Sequence, residues 1–219
     1  MLTIPEELWL LSLNPRTGKV KTTKLIQAVT GAVLVELALA KRIQIKGKKQ
    51  VGVTSDQPLG NAVLDSALAK IKAYEKDLDV FLWMYELSSV QQKRIQDFVA
   101  EGLQERGTVE LVEQSVLGGL IKSKKWVLKD AGLRDEIIQR MRSAGLENRD
   151  PDLHTLCLML IAGQTDLVRI AESRDERSRY QARIRKLITM VDEPRAAYAR
   201  NIIVAVLKAN QTSRGSVTL

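Results

Sequence analysis

The sequence contains a single cysteine, Cys157, and a single histidine, His154. One thiol cannot form a disulfide within the chain. A structural zinc site needs four ligands, and these two residues share one apolar segment, DLHTLCLML, with no further ligand nearby in sequence. We therefore predict that both side chains occupy core positions and bind no metal.

The chain also lacks the short motifs that carry catalysis. It has no GxSxG, no GxxxxGK[ST] and no GxGxxG after a strand. Residues 102–107 have the glycine spacing of a phosphate-binding loop, but Thr108 stands where that loop requires a lysine. We predict a protein that is not an enzyme and that needs no cofactor.

No hydrophobic run reaches the length of about 20 residues that a membrane-spanning helix requires. The longest, Leu25–Leu39, is polar only at Gln27, Thr30 and Glu36. A helix that is apolar on most faces belongs inside a fold, so we predict a buried central helix here. Glu36 then needs a partner, which Arg42 or a neighbouring backbone group could supply; a catalytic carboxylate is the alternative interpretation.

Positive charge exceeds negative charge in this chain. The 34 Lys and Arg residues outnumber the 26 Asp and Glu residues, giving a net charge of +8 and a pI near 9.6. Such a balance favours anionic partners, namely nucleic acid, an anionic membrane surface or acidic proteins. The N-terminus, MLTIPEELWLL, has no basic segment ahead of its apolar run and does not resemble a signal peptide, so we expect a cytoplasmic protein.

Helical periodicity dominates the rest of the chain, and we predict a mainly α fold in one domain over residues 1–210, with a flexible tail at 211–219. Besides the central helix, the patterns predict helices at residues 6–13, 78–87, 90–105, 133–141, 153–162, 174–191 and 194–207, and one that follows residues 55–58 and runs to about residue 74. The cap of the helix that ends near residue 74 is predicted within residues 55–58. Alternating apolar residues around glycine turns predict two β-hairpins, at residues 43–53 and 108–128.

Lys93 and Arg94 fall on the first turns of the predicted helix 90–105, where the helix dipole disfavours cations. They are either incidental there or paired with an anion. A helix N-terminus at Val90 would offer backbone donors to such an anion.

The second predicted hairpin has an apolar tip. Four apolar residues surround its Gly118-Gly119 centre: Val116, Leu117, Leu120 and Ile121. Three lysines and a tryptophan follow: Lys122, Lys124, Lys125 and Trp126. Apolar side chains in a turn either fold back on the core or enter an apolar medium. Because lysines favour an anionic membrane surface and tryptophan favours the headgroup level, we predict that this tip enters a membrane.

Two other functions remain open at this point. Two helices followed by a basic hairpin with Lys46, Lys48 and Lys49 is the order in which a winged helix begins, which makes nucleic-acid binding the alternative. Phosphate contacts need a basic tip, however, and the second hairpin does not provide one. An apolar tip could equally dock a protein partner or a second copy of the chain, so an adaptor or a homo-oligomer is the third interpretation.

Several segments together resemble the Golgi phosphoprotein 3 family of peripheral membrane proteins. They are LTIPEELWLLSLNPRTGKV, VLVELALAKRIQI and SDQPLGNAVLDSAL, together with the helix that ends at Glu105-Arg106-Gly107 before a hairpin. The third is the most specific, with these residues in the family's order: Ser55, Asp56, Pro58, Gly60, Leu64, Asp65, Ala67 and Leu68. The resemblance covers nearly the whole chain, strongly to Gly107 and more loosely after Asp130.

This resemblance implies a helical domain with a four-helix core, surface helices and a membrane-entering hairpin, and it implies binding of phosphatidylinositol 4-phosphate. The family's headgroup pocket uses one tryptophan and three arginines, whose positions fall by register on Lys21, Thr30, Lys93 and Gln96. With the neighbouring cations, the expected headgroup site is Lys21, Lys24, Lys93 and Arg94. The sequence lacks the N-terminal extension of eukaryotic members and resembles a minimal, prokaryotic-type member. We therefore expect a peripheral protein on the cytosolic face of a membrane that binds anionic or phosphorylated lipid headgroups.

Overall fold

A computed structural model describes residues 1–21, 24–47, 49–116, 121–165 and 173–212, with the backbone alone at 114–116, 121–123, 195 and 212. The helices of these residues are α1 (Ile4–Ser12), α2 (Leu25–Leu39), α3 (Ala62–Ala73), α4 (Val80–Glu86), α5 (Ile95–Glu105), α6 (Ala131–Leu146), α7 (Leu153–Thr165), α8 (Arg174–Leu187) and α9 (Arg200–Thr212). Their strands are β1 (Ile43–Lys46), β2 (Gln50–Val53), β3 (Ser89–Val90), β4 (Lys93–Arg94), β5 (Val109–Val116) and β6 (Ile121–Leu128). The strands pair as three antiparallel hairpins, β1–β2, β3–β4 and β5–β6.

Helix α2 lies at the centre of the fold. Its side chains at Val29, Val33 and Leu37 are fully buried, because α2 is apolar on most of its circumference and other helices cover each side. Helices α1, α7 and α9 pack on it and form a four-helix core, while α3, α4 and α5 cover its remaining faces. The predicted mainly α fold and its buried central helix are confirmed.

Helices α2 and α9 approach closely at Gly31. A Cβ at this position would lie 2.6 Å from Cγ1 of Val206, which is shorter than real side-chain contacts allow. Glycine therefore lets α9 pack closely against α2 at this point.

Helix α3 begins later than the sequence analysis predicted. Its N-cap is Asn61, whose side-chain oxygen accepts hydrogen bonds from the backbone N–H groups of Val63 and Leu64 at 3.1 and 3.2 Å. The predicted cap within residues 55–58 is wrong, since those residues form a loop. The carboxylate of Asp65 holds that loop by accepting hydrogen bonds from the backbone N–H groups of Leu59 and Gly60.

Helix α5 also begins later than predicted, at Ile95 rather than at residue 90. The preceding residues form the tight β3–β4 hairpin, in which Ser89 pairs with Arg94 and Val90 with Lys93. Its two turn residues, Gln91 and Gln92, have φ angles of 50° and 63°. Two successive positive φ values are the geometry of the turn that two-residue hairpins prefer. The expected helix N-terminus at Val90 is therefore wrong.

The last helix begins at Arg200 instead of residue 194. Pro194 opens a short 3₁₀ turn, Pro194–Ala196, and α8 likewise ends at Leu187 with a 3₁₀ turn, Ile188–Asp192, behind it. Helix α9 includes residues 211 and 212, which the sequence analysis assigned to the flexible tail. Residues 213–219 lie outside the described residues.

Candidate functional site

Two contacts show how α1, α2 and α5 begin and end relative to one another. The carboxylate of Glu36, late in α2, accepts a hydrogen bond from the N–H of Ile4 at 2.8 Å, so α1 starts where α2 ends. Arg106, just after α5, forms an ion pair with Glu6 at 2.5 Å, so α5 ends at this same place. The starts of α2 and α5 therefore both lie away from this place. We use the name basic end for three cation-bearing segments: residues 14–21 with Lys24 before α2, β4 before α5, and the described part of the β5–β6 hairpin beyond the Leu111/Trp126 pair.

The β5–β6 hairpin is fixed to the basic end by two tryptophans and a glycine. Trp126 packs edge to face on Trp9, with ring centroids 5.2 Å apart, and its backbone N–H donates to the carbonyl of Gly18 at 2.9 Å. Gly18 has a φ of 66°, and a Cβ there would lie 2.6 Å from the carbonyl oxygen of Trp126. Only glycine suits both the backbone conformation and the close approach. The loop between α1 and α2 and the hairpin thus form one unit.

The strand register shows where the hairpin leaves the core. Cross-strand partners lie on one face and successive pairs alternate, so Leu111/Trp126 and the next-but-one pair, Glu113/Lys124, share a face. Trp126 is half-buried against the core, whereas the Glu113 and Lys124 side chains are 58% and 64% exposed and pair at 3.4 Å. A face that changes from packed to exposed shows that the core does not extend beneath the Glu113/Lys124 pair. The described part of the ribbon therefore leaves the core between these two pairs.

The predicted tip is only partly within the described residues. Val116 pairs with Ile121 at the end of the ladder, which confirms the predicted hairpin, while Leu117 and Leu120 lie outside the described residues. Trp126 lies about 17 Å along the strand from Ile121, at about 3.4 Å per residue. Its described contacts are with the core, and its place at a headgroup level stays a prediction.

The three hairpin lysines have different surroundings. Lys124 is paired across the strands with Glu113. Lys125 lies opposite Val112, is partly exposed and has its Cβ beside Gly18. The side chain of Lys122 lies outside the described residues.

Lys21, the position implied by the family register, and its neighbour Lys24 precede α2, which begins at Leu25. Lys21 is exposed, and its N–H donates to the carbonyl of Ser12 at the end of α1. Lys24 is half-exposed and precedes α2 with a φ of 62°. Between the two helices, Arg16 and Lys19 are exposed in the loop and add two cations that the sequence analysis missed. The turn signal Asn14-Pro15-Arg16 could have found them, since a turn exposes the charges that it carries.

Lys93 and Arg94 lie on β4 rather than on a helix. The ammonium group of Lys93 is 2.5 Å from a carboxylate oxygen of Glu101, and the guanidinium group of Arg94 is 2.7 Å from that of Asp97. All four side chains are substantially exposed, so both cations can reach an external anion by exchanging partners.

The other two positions of the family's headgroup pocket, Thr30 and Gln96, are uncharged and buried. The Thr30 hydroxyl is fully buried and donates to the carbonyl of Ile26 at 2.9 Å. Gln96 is 4% exposed on the inner face of α5. An anion-binding site at the basic end therefore has to use the exposed cations of the loop and of β4.

A buried charge network lies where α1 begins and α2 ends. Glu7, 3% exposed, accepts hydrogen bonds from Arg140 at 2.6 Å and lies 3.1 Å from Nε2 of His154. Burial lowers the pKa of His154, but the hydrogen bond and charge of Glu7 and the charge of Glu36 outweigh it, so this pKa is raised. Glu36 uses the backbone of Ile4 rather than Arg42 as its partner, and its pKa is raised mainly by burial. The predicted backbone partner is confirmed.

Cys157 is fully buried, and burial raises the pKa of its thiol to about 12, which fits the predicted core position. His154 differs from the prediction, because it is an ion-pair partner at the edge of the core rather than a purely apolar contact. Among the described residues, no group of His, Cys, Asp and Glu is arranged to hold a metal ion. None of the described helices combines the length and hydropathy that crossing a bilayer requires.

A sequence model of the family described as Golgi phosphoprotein 3 (GPP34) matches residues 4–206, from the first residue of α1 into α9. The chain belongs to the Golgi phosphoprotein 3 family. It is also similar to vacuolar protein sorting-associated protein 74 of Eremothecium gossypii, with 28% identity over 129 residues. That alignment takes in 49% of this chain and 39% of the relative, so the chain spans about two fifths of the length of the curated relative it matches. The family match includes the whole basic end.

Proposed function

We propose that this Golgi phosphoprotein 3 family member is a peripheral membrane protein that binds anionic, phosphorylated lipid headgroups at its basic end. The observation that carries this proposal is the exposed Glu113/Lys124 pair on the face that packs Trp126 against Trp9. The hairpin leaves the core there and projects beside a loop that carries exposed cations. A membrane surface can meet the projecting hairpin and the basic loop at once.

The headgroup site consists of exposed cations on two segments. The α1–α2 loop contributes Arg16, Lys19, Lys21 and Lys24, and β4 contributes Lys93 and Arg94. Near an anionic surface each such cation contributes about 1 kcal/mol. Lys93 and Arg94 first have to leave Glu101 and Asp97, but exposed ion pairs of this kind contribute only about 0–1 kcal/mol, and a phosphate is the stronger partner. The family resemblance makes phosphatidylinositol 4-phosphate the first ligand to test.

The hairpin tip supplies the second contribution. Partial insertion of Val116, Leu117, Leu120 and Ile121 is worth on the order of 4 kcal/mol if each side chain loses part of its contact with water. An apolar anchor of that size binds only weakly, and stable attachment needs a second, electrostatic signal. Binding should therefore require both the tip and anionic lipid. The protein acts by recognition rather than catalysis, on the cytosolic face of the membrane.

Sedimentation with liposomes tests this function directly. Vesicles of phosphatidylcholine alone, with phosphatidylserine, and with phosphatidylinositol 4-phosphate are compared beside a gel shift with duplex DNA. We expect co-sedimentation with both anionic vesicles, tighter with the phosphoinositide, and no shifted DNA. A winged helix would place a recognition helix in the major groove, which α2 cannot do because it is buried. A DNA shift without lipid binding would overturn the proposal. Binding to phosphatidylcholine vesicles but not to the anionic vesicles would also overturn it.

A further inference from the structure

A cavity lies between α4, α9 and the β1–β2 hairpin. Its volume is about 560 Å³, within the range of about 300–1,000 Å³ that small-molecule sites occupy. The walls are mostly apolar, formed by Ile45, Val80, Phe81, Val204, Ala205 and Ala209. Along α9 the lining runs from Asn201 to Ala209, which is about 12 Å at 1.5 Å per residue. The cavity is therefore long enough for an extended alkyl segment.

The surface beside this cavity is unusually apolar for a face in water. Phe81 is 56% exposed while lining the cavity, and its neighbour Leu82 is 46% exposed. Leu82 is not part of the lining, so Phe81 alone extends the apolar wall of the cavity to the protein surface. That surface would be covered by a ligand that fills the cavity.

The polar groups of the lining determine the charge of the occupant. Lys49 and Lys208 line the cavity and are exposed, and within the described part of the chain neither has an acidic partner. The one carboxylate there, Asp79, already accepts a hydrogen bond from the N–H of Leu82 at 2.9 Å as the N-cap of α4. Two lysines against one engaged carboxylate leave a net positive charge beside an apolar interior. A ligand complementary to this arrangement has an apolar body and one anionic end.

We propose that this cavity binds a free single-chain anionic amphiphile, a long-chain carboxylate. The alkyl chain lies along α9 among Val80, Val204 and Ala205. The carboxylate is held by Lys49 and Lys208. A concave groove of this size fits one chain rather than a flat membrane surface, and none of its lining residues belongs to the basic end, so the proposal does not depend on the function of that end.

Isothermal titration of delipidated protein with dodecanoate, its methyl ester and butyrate tests this site. We expect saturable binding of one dodecanoate per chain, binding of the uncharged ester weaker by roughly tenfold, and none of butyrate, which has the charge without the apolar body. The absence of saturable dodecanoate binding would overturn the proposal. Equal affinity for the ester would overturn the role of the lysines.

Variants of the lining residues test whether dodecanoate binds in the cavity or elsewhere on the surface. Ala205→Phe fills the cavity and should reduce dodecanoate affinity by at least about tenfold. Val204→Met is the second filling variant if Ala205→Phe fails to fold. Lys49→Gln with Lys208→Gln should weaken binding, whereas Lys76→Gln with Lys186→Gln removes the same charge elsewhere and should not. Unchanged affinity in a folded filling variant, or an equal loss in the charge control, contradicts the site.

Two further measurements test whether a second copy of the chain fills the cavity and whether the cavity and the basic end bind independently. Light scattering shows whether Ala205→Phe dissociates a dimer, in which case a second copy fills the cavity and the proposal is wrong. The filling variants should sediment with anionic liposomes like the wild type, and a variant with a polar hairpin tip should still bind dodecanoate. If one substitution abolishes both kinds of binding, the two sites are not separate and the proposal fails.

Discussion

Trp9 and Trp126 meet edge to face, with their ring planes at 88° and their centroids 5.2 Å apart. Trp9 belongs to the buried helix α1, and Trp126 lies near the base of the β5–β6 hairpin. This contact, with the hydrogen bond from Trp126 to Gly18, sets the direction in which the hairpin projects. The position of the proposed membrane anchor is thus determined by the helical core.

Gly18 should tolerate no side chain. Gly18→Ala places a methyl group against the carbonyl oxygen of Trp126 and also forces a left-handed backbone, so the free energy of unfolding should fall by about 2–3 kcal/mol. Gly60→Ala is the matched control, because Gly60 has a φ of 74° but no atom within 4 Å of the added methyl, and it should lose only about 1–2 kcal/mol. Urea denaturation of both variants measures the difference. Equal losses would show that the close approach is unimportant.

The hairpin tip should contribute to membrane binding and not to folding. Leu117→Ser with Leu120→Ser should weaken sedimentation with anionic liposomes by roughly thirtyfold, because about half of the inserted apolar group is removed. The melting temperature should stay nearly unchanged. Tyr85→Ser with Ile188→Ser, two exposed apolar side chains elsewhere, is the control and should bind like the wild type. A double tip variant that melts several degrees lower and still sediments would place the tip in the core.

Lys93 and Arg94 should contribute to binding through charge. Replacing both by Ala should weaken binding to anionic liposomes by roughly fivefold and flatten its dependence on salt, since part of each charge is already compensated by Glu101 or Asp97. Lys72→Ala with Lys186→Ala removes the same charge from other surfaces. If this control weakens binding equally, net charge and not the basic end determines attachment.

His154 should make stability depend on pH. Because its pKa is raised in the fold above the ordinary value of 6.5, its contribution is fully present below about pH 6.5 and is lost as the pH rises through the folded pKa. The free energy of unfolding, measured by urea denaturation from acid to mildly alkaline pH, should fall across this window in the wild type. His154→Gln should remove that decrease, and no other histidine is present to mask it. A decrease that persists in the variant would assign it to other groups.

The central helix should not accept a charge. Leu34→Ala should lower the free energy of unfolding by about 2–5 kcal/mol through the cavity it leaves. Leu34→Asp buries an unpaired carboxylate and should leave the protein unfolded by circular dichroism. A folded Leu34→Asp variant with an unchanged melting temperature would contradict the central position of α2.

Those features that depend on a strong local pattern could be predicted from the sequence. The apolar run of α2 requires burial whatever surrounds it, and the Gly118-Gly119 centre predicts the β5–β6 hairpin. The β3–β4 hairpin could not be predicted, because its turn residues are Gln91 and Gln92 and no Asn or Gly signals their positive φ. Reading its residues as helix placed Lys93 and Arg94 on the wrong element.

Long-range contacts were equally inaccessible from the sequence. Trp126 follows three lysines, and in sequence it resembles a residue that sits at the headgroup level of a membrane. Its aromatic partner, however, is Trp9 in α1, far from it along the chain. The N-cap of α3 could not be predicted from the sequence for the same reason. Ser55 and Asn61 are both good capping residues, and only the packing of α3 selects Asn61. In the candidate site, the cations were evident from composition, and their ion-pair partners were not.

The hydrogen bond from Trp126 to Gly18 also covers one edge of the β5–β6 ribbon near its base. In the described residues, no other segment donates to or accepts from the backbone edges of the ribbon beyond that point. Uncovered strand edges in water can add a strand from another chain. Away from a membrane, the protein should therefore begin to self-associate at the outer half of the hairpin, and lipid attachment should act as its protection against aggregation.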